Sequence, residues 1–307
     1  MNNKVKILDH DIVYLSYDEP NAEENYADLL TKVPWAKRVH GVYGSDAAHK
    51  ACARIAETER VTIVDGDNRI RKELIDQEIE FKEEVILNKS VISWGARNVI
   101  NGLIYGNGGI KNWPTQLILD MKTHEAAESD NAKTQVDFCW DINYVQMEKC
   151  MSDVYNNADP KQAWRAGFRE GVKMGLLEGS KADPKNFSRQ VHWKNFHRLL
   201  IWMHAGLDIK NGIWAIYGAR KGCCMTNCTD WDFINVRDFK WLNDLWDEQE
   251  SKLTDDLLPD EINRLGKVLK NDLEIDMSEP FTPDQSVLFK TVYTNPPRMK
   301  NNFIVEK

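Results

Sequence analysis

No apolar run in this chain approaches the roughly 20 residues that a membrane-spanning helix needs. The amino terminus, MNNKVKILDHD, lacks the apolar stretch of a secretory signal, so a cytoplasmic protein is expected. Cysteine is sparse and unevenly placed, at positions 52, 139, 150, 223, 224 and 228, which is not a disulfide framework; reduced thiols are the expectation. Cys223, Cys224 and Cys228 cluster, but no Cys-x-x-Cys is present and the closest histidine in sequence is the distant His204, so zinc is not expected there. No Gly-x-Gly-x-x-Gly follows the first expected strand, which argues against a dinucleotide, and the absence of Gly-x-x-x-x-Gly-Lys-Ser/Thr argues against a P-loop. Internal repeats and low-complexity linkers are also missing. What remains is a globular chain of 307 residues, 42% hydrophobic and 29% charged, long enough for one large domain or a core domain with a smaller one.

The first 67 residues alternate in a readable way. IVYLSY (12–17) has the pattern of a buried strand, stopped by Asp18-Glu19-Pro20-Asn21. Asn21 is placed to cap the helix AEENYADLLTKV, whose Tyr26, Leu29, Leu30 and Val33 mark one apolar face, and Pro34 ends it. AKRVHGVYG reads as a strand, Ser45 or Asp46 caps the helix AAHKACARIAETE, and the apolar run Val61 to Val64 is a third strand. Strand, helix, strand, helix, strand predicts a parallel sheet with right-handed crossovers and a nucleotide-binding half of Rossmann type.

That third strand ends in Asp65-Gly66-Asp67. In an open α/β sheet ligands gather beyond the carboxyl ends of the strands. Two carboxylates held so close repel unless a cation lies between them, and Mg²⁺ and Mn²⁺ prefer oxygen ligands shared with phosphates. The pattern therefore suits a diphosphate. Asp-Gly is equally a strong hairpin signal, which is the other reading of the same residues.

Beyond it, KELIDQEIEFKEE reads as a solvated connection, Val91–Trp94 as a strand and ARNVINGLIY as a short helix. The loop Gly106-Asn107-Gly108-Gly109, with Lys111 and Trp113 after it, suits a close ligand approach with an indole for stacking, or is a plain surface loop. After Asn157 the sequence turns helical. Residues 161–221 hold twelve Lys or Arg against four Asp or Glu, a local +8, so the other 246 residues carry −16 of the overall −8. Lys161, Arg165, Arg169 and Lys173 recur every four residues beside the apolar stripe Trp164, Phe168, Val172 and Leu176. Such a face is commonly only solvated, yet with so few carboxylates it also suits phosphate backbones. Arg189, Lys194 and Arg198 extend the basic region, and Arg220 and Lys221 stand at a glycine-bounded turn. Some of the eleven tryptophans are expected to line a binding surface, and the tail after Glu279, with four prolines, to be irregular or a lone strand.

The Asp-x-Asp at a strand end resembles the GT-A type of glycosyltransferase over roughly residues 12–145. Within that class the strings YLSYDEPNAEENYADL, GSDAAHKACA, VDGDN and NGLIYGNGGIKNW resemble a phage-associated group that glycosylates hydroxymethylated pyrimidines in DNA. The resemblance implies an α/β fold with a GT-A-type, Rossmann-like, mostly parallel sheet flanked by helices. It implies a nucleotide-sugar-binding core over 1–157 and a mainly helical acceptor-binding half over 158–307, packed as one unit in the cytoplasm of the host. The implied activity is metal-dependent hexosyl or pentosyl transfer from a nucleoside diphosphate sugar, a UDP-sugar being expected, to 5-hydroxymethylcytosine or 5-hydroxymethyluracil in DNA. No membrane and no obligate protein partner are expected.

By that resemblance Asp65 and Asp67 hold Mn²⁺ or Mg²⁺ on the diphosphate, with Gly66 between them in the donor-binding set, and a histidine of the second half, His204 before His197 or His192, completes the shell; a core or capping role is the other reading of His204. Ser16, Tyr17 and Asp18 at the first strand end, with Asp46 and Lys50 on the second helix, are placed by topology to face the nucleoside. Asp141, Asp137 or His124 is the candidate base of an inverting enzyme. Trp94, Gly108, Gly109, Lys111, Trp113, Arg165, Arg169, Lys173, Arg220 and Lys221 are the candidate acceptor contacts. A hydroxyl inside a DNA duplex requires bending or base flipping, and the overall acidity of the chain weighs against DNA. Two alternatives stand beside this one: the same fold acting on a small sugar, lipid or protein side chain, and a non-catalytic module that only binds nucleotide sugars.

Overall fold

The structure, a computed structural model, describes residues 3–106, 109–123, 142–296 and 302–305. Gly108, His124, Asp137 and Asp141 lie outside the described residues. Strands β1 (Lys4–Lys6) and β2 (Asp11–Ser16) lead to helix α1 (Ala22–Lys32), β3 (Lys37–His40), α2 (Ser45–Ile55) and β4 (Arg60–Asp65). This is the expected alternation, and β3 and β4 pair in parallel on either side of β2. Ile12 and Tyr14 pack on one side of the sheet with Leu29 and Val33, while Val13 packs on the other with Cys52 and Ala53. Both faces are covered, which explains the near-continuous apolar runs.

Then follow β5 (Asn68–Ile70), β6 (Glu78–Glu80), α3 (Glu84–Leu87), β7 (Ser90–Asn98), β8 (Ile104–Tyr105), β9 (Ile110–Pro114), α4 (Thr115–Asp120) and β10 (Asn143–Val154). The main sheet runs β3-β2-β4-β9-β7-β10-β5, with β8 beside β7. It is mixed rather than mostly parallel, because β9 lies antiparallel to both β4 and β7, and β5 antiparallel to β10. The chain from β7 to β9 is too short to make a helical crossover, so it returns antiparallel.

β4 and β5 are separated in sequence only by Gly66 and Asp67, yet they stand four places apart in the sheet and pair with different strands. A flat sheet would set them about 19 Å apart, whereas three Cα steps span at most about 11 Å. The sheet therefore curls until its edge strand returns to β4, and Asp65-Gly66-Asp67 closes the curl. The hairpin reading of Asp-Gly is not realised.

Three local expectations are corrected. ARNVINGLIY is the end of β7 and a turn into β8, not a helix, because Asn98 and Asn101 accept the N–H groups of Ile100 (2.9 Å) and Leu103 (3.1 Å) and so compete with helical bonding. KELIDQEIEFKEE is no solvated connection: Leu74, Ile79 and Phe81 are buried, and β6 pairs with β1. The tail is not irregular either, since residues 283–292 form a helix with a Thr282–Gln285 capping box and Pro283 in the first turn, where its missing N–H costs nothing.

The second half contains α5 (Pro160–Met174), the short strands β11 (Leu176–Leu177) and β12 (Ser180–Lys181), α6 (Phe187–Gln190), α7 (Trp193–Trp202), α8 (Gly212–Cys228), α9 (Phe239–Glu248), α10 (Leu258–Leu273) and α11 (Pro283–Val292). Its core includes Ile100, Leu103 and Tyr105 of the first half. The Tyr105 hydroxyl donates to Glu170 at 2.6 Å and accepts from the Trp202 indole at 3.2 Å. No helix among the described residues is long and apolar enough to cross a membrane.

At the centre α5 and α8 meet backbone to backbone. A Cβ at Gly167 or Gly171 would collide with the carbonyl of Ala215 or Ala219, and one at Gly218 or Gly222 with that of Trp164 or Phe168. Glycines spaced by four on both helices make this approach possible. Gly171→Ala and Gly218→Ala should each destabilise the fold by about 1–3 kcal/mol, the usual cost of overpacking. Urea midpoints equal to that of the parent protein would show that the helices are not in backbone contact.

Candidate functional site

The Asp65-Gly66-Asp67 turn is held from several sides. The Gly66 carbonyl accepts from the Tyr14 hydroxyl (2.6 Å) and from the Asn25 amide (2.9 Å). The Asp67 carbonyl accepts from Tyr155 N–H (2.7 Å), and Asp65 N–H donates to Gly109 (3.0 Å). Asn68, buried, donates to the Asp67 carboxylate at 2.6 Å and accepts from Ser152 at 2.8 Å. The backbone of the turn and the Asp67 carboxylate are thereby held in place. Asn25 is fixed in turn by Arg69 (2.8 Å), whose guanidinium also lies over the Tyr155 ring.

A third carboxylate joins them. Glu19, at the carboxyl end of β2, accepts from Tyr17 N–H at 2.8 Å and lies so close over Gly66 that a Cβ there would come within 2.7 Å of its carboxyl carbon. The electrostatic result is unfavourable ionisation. Burial pushes Asp65 up to about 7, with Asp67 and Glu19 adding to the rise and Lys111 opposing it. Burial and Glu19 push Asp67 up to about 6, while the Asn68 hydrogen bond and the Arg165 charge oppose the shift. Among the described residues no three His, Cys, Asp or Glu side chains are grouped so as to hold a metal ion by themselves. Two hard oxygen donors remain, and a divalent ion shared with a diphosphate needs few more from the protein.

Around this turn the structure gathers some of the candidates. Tyr17 and Tyr43, 41% and 72% exposed at the ends of β2 and β3, meet edge to face at 6.4 Å. Ser16 is buried and bonded to His40 (2.9 Å) and Arg38 (3.2 Å), so it supports the rim rather than facing a ligand. Asp46 and Lys50 pair with each other at 2.9 Å, and Asp46 also accepts from Thr123 at 3.0 Å. Lys111 stands opposite Ile63 on β9, where its charge acts on Asp65. Gly109 is a glycine because a Cβ would strike the Asn68 side chain; it makes room for protein, not for a ligand.

Arg165 changes sides. Expected among acceptor contacts, it reaches over from α5 to Asp18 at 3.6 Å, is largely buried, and lies over the Phe239 ring at 5.1 Å. It is a cation of the carboxylate site. Arg169 lies over the same ring at 4.9 Å, and Lys173 is likewise half-buried, so the cationic stripe of α5 is not a free outer face.

Other candidates fall away from the site. Trp94 and Trp113 are fully buried in the two sheet cores, so their rings are covered by protein and not placed to stack on a base. Arg220 is buried and donates to the carbonyls of Met203 (3.2 Å), Ile262 (3.1 Å) and Ser278 (2.8 Å); its pKa is pushed down to about 10 by burial. Lys221 pairs with buried Glu250 at 3.5 Å. His204 is a core residue whose Nδ1 meets the Leu200 carbonyl at 2.7 Å and whose ring lies against Phe281; burial pushes its pKa down, and none of these contacts is with the Asp65–Asp67 turn. Of the ten described tryptophans only Trp35 and Trp193 are well exposed, since the others fill cores. The five described cysteines are free thiols.

Asn21 also departs from expectation. It occupies the N-cap position of α1, but its side chain bonds Tyr155 (2.7 Å) and Gln162 (3.2 Å) across the two halves. Sequence reasoning missed Glu19, Tyr43, Asn25, Asn68 and Phe239. Glu19 and Tyr43 lie just past strand ends, a position that could have marked them; the others depend on the curl and on helix packing. No protein-family model matches the chain, and no curated protein matches it.

The folded protein keeps the Asp65 proton to about pH 7, whereas an unperturbed aspartate releases it near 3.8. Between these values the unfolded chain binds fewer protons, so this group makes stability fall as pH rises. Asp65→Asn should therefore gain stability relative to the parent at pH 8 and little at pH 4, read from thermal midpoints without added metal. An equal difference at both pH values would contradict the shift.

Proposed function

We propose that this chain is a metal-dependent glycosyltransferase of GT-A type, transferring a sugar from a nucleoside diphosphate sugar, a UDP-sugar being favoured, to the hydroxymethyl group of a DNA pyrimidine. The observation that carries this reading is the rigid pair Asp65 and Asp67 at a strand end, poorly ionised alone, with the exposed Tyr17–Tyr43 pair on the same edge and Arg165 across from it. A bound Mn²⁺ or Mg²⁺ would supply positive charge to a departing diphosphate. Asp65 and Asp67 would hold it; their raised pKa values, driven first by burial and then by neighbouring carboxylates, are those of carboxylates that gain most from a cation. Arg165 adds fixed positive charge beside the same phosphates, and the tyrosine rings offer faces to a base. Tyr14 and Asn25 hold the Gly66 carbonyl between the two aspartates, and Asn68 holds the Asp67 carboxylate.

The DNA acceptor rests on the resemblance and on the segregated basic region. An acceptor other than DNA, a small sugar, lipid or protein side chain, is favoured by the inward placement of Trp94, Trp113, Arg220 and Lys221, which removes four of the expected DNA contacts.

A nucleoside mass-spectrometric assay with Mn²⁺, a panel of UDP-sugars and DNA containing 5-hydroxymethylcytosine, 5-hydroxymethyluracil or unmodified bases should show a sugar increment on a hydroxymethylated base alone. Asp65→Asn with Asp67→Asn should abolish it while leaving circular dichroism unchanged; full transfer by the double variant would remove the metal argument. UDP release without gain on DNA would move the acceptor elsewhere. Arg165→Ala should weaken Mn²⁺-dependent UDP binding about tenfold or more, the scale of a hydrogen bond to a charged group. Calorimetry giving an unchanged affinity would return Arg165 to another role.

A further inference from the structure

The basic region of the chain changes location once folded. Of its cations, Arg165 faces the carboxylates, Arg220 is buried on carbonyls, and Lys161 and Lys221 have carboxylate partners. A corner between β12 and α7 remains exposed. Lys181, Lys185 and Arg189 are exposed there, with His192 and Trp193 at the start of α7 and Lys194 beside them. Trp193 is 58% exposed, with the Lys194 ammonium 5.5 Å from its ring centroid and the His192 ring stacked at 6.1 Å.

The charge of this stretch is mainly positive. Asp183 is the only carboxylate between Lys181 and Lys194, and it is engaged by the backbone N–H of Lys185 (3.2 Å) and the Asn186 amide (2.7 Å). Lys181 donates to the Thr229 carbonyl, and neither Lys185 nor Arg189 has a carboxylate partner among the described residues. The corner is firm, because Ala182, Phe187 and Val191 are buried beneath it and Phe187 packs edge to face on Phe196. An exposed indole a few residues from Lys185 and Arg189, whose charges meet no carboxylate among the described residues, has as its complement a polyanion with exposed aromatic faces.

We infer that this corner binds nucleic acid, with Lys185 and Arg189 on phosphates and an unpaired base stacked on Trp193. Base–aromatic stacking needs an unstacked base, so the surface selects single strands or locally opened duplex. The inference rests on the proposed DNA acceptor for its purpose, and on the surface itself for its chemistry.

The test measures fluorescence anisotropy of a labelled 20-nucleotide single strand, of the matching duplex, and, by co-sedimentation, of phosphatidylserine vesicles. Trp193→Ala should weaken single-strand binding about tenfold or more and change duplex binding less. Lys185→Glu with Arg189→Glu should lower the slope of log K against log salt by about 1.4, two phosphate contacts on a single strand. Both variants lie on the surface and should keep the parent's Mn²⁺-dependent UDP affinity. Variants that bind the single strand as the parent does overturn the inference, as does a parent that binds vesicles but no nucleic acid. If the parent binds no UDP yet loses single-strand binding on substitution, the donor reading fails and this one stands.

Discussion

Two residues between strands that stand four places apart in the sheet form the constraint from which much of this structure follows. The span is too short for a flat sheet, so the sheet closes on itself, and the closing turn is Asp-Gly-Asp. Its backbone is pinned by Tyr14, Asn25, Tyr155 and Gly109, which keeps the two aspartates at adjoining positions of one closed turn. Burial and a third carboxylate, Glu19, then make full ionisation costly. On the proposed reading, a cation shared with a diphosphate would lower that cost.

The helical half contributes through a second constraint. Glycines on α5 and α8 let the helices touch backbone to backbone, which fixes the axis of α5 closely. Arg165, one turn from its amino end, is thereby set opposite Asp18 and against Phe239. The shared core around Ile100, Leu103 and Tyr105 and the Asn21 bridge to Tyr155 and Gln162 join the halves on either side of the site. The charge that balances the strand-end carboxylates thus comes from both halves, Lys111 beside Asp65 and Arg165 beside Asp67.

The basic stretch shows why charge in a sequence does not locate a surface. Arg165 and Arg220 have the same composition signal as Lys185 and Arg189, but the first pair turns inward and the second outward. The tryptophans behave likewise: Trp94 and Trp113 fill the sheet cores, and Trp193, unremarked in the pattern, stands in solvent.

Local order was legible in the sequence wherever neighbours along the chain decide it. The alternation of the first three strands and two helices, the end of β4 at two carboxylates and the helical second half follow from periodicity and stop signals. The antiparallel insertion of β9, the turn at Asn98 and Asn101, and the helix in the tail were not legible, because pairing partners, side-chain competition for the backbone and a capping box outweighed the pattern. The sequence by itself determined that Asp65 and Asp67 end a buried strand. Only the tertiary structure decided that Glu19 and Arg165 stand beside them and that His204 does not, since those placements depend on the curl of the sheet and the glycine contact between helices, both of which join residues far apart in the chain.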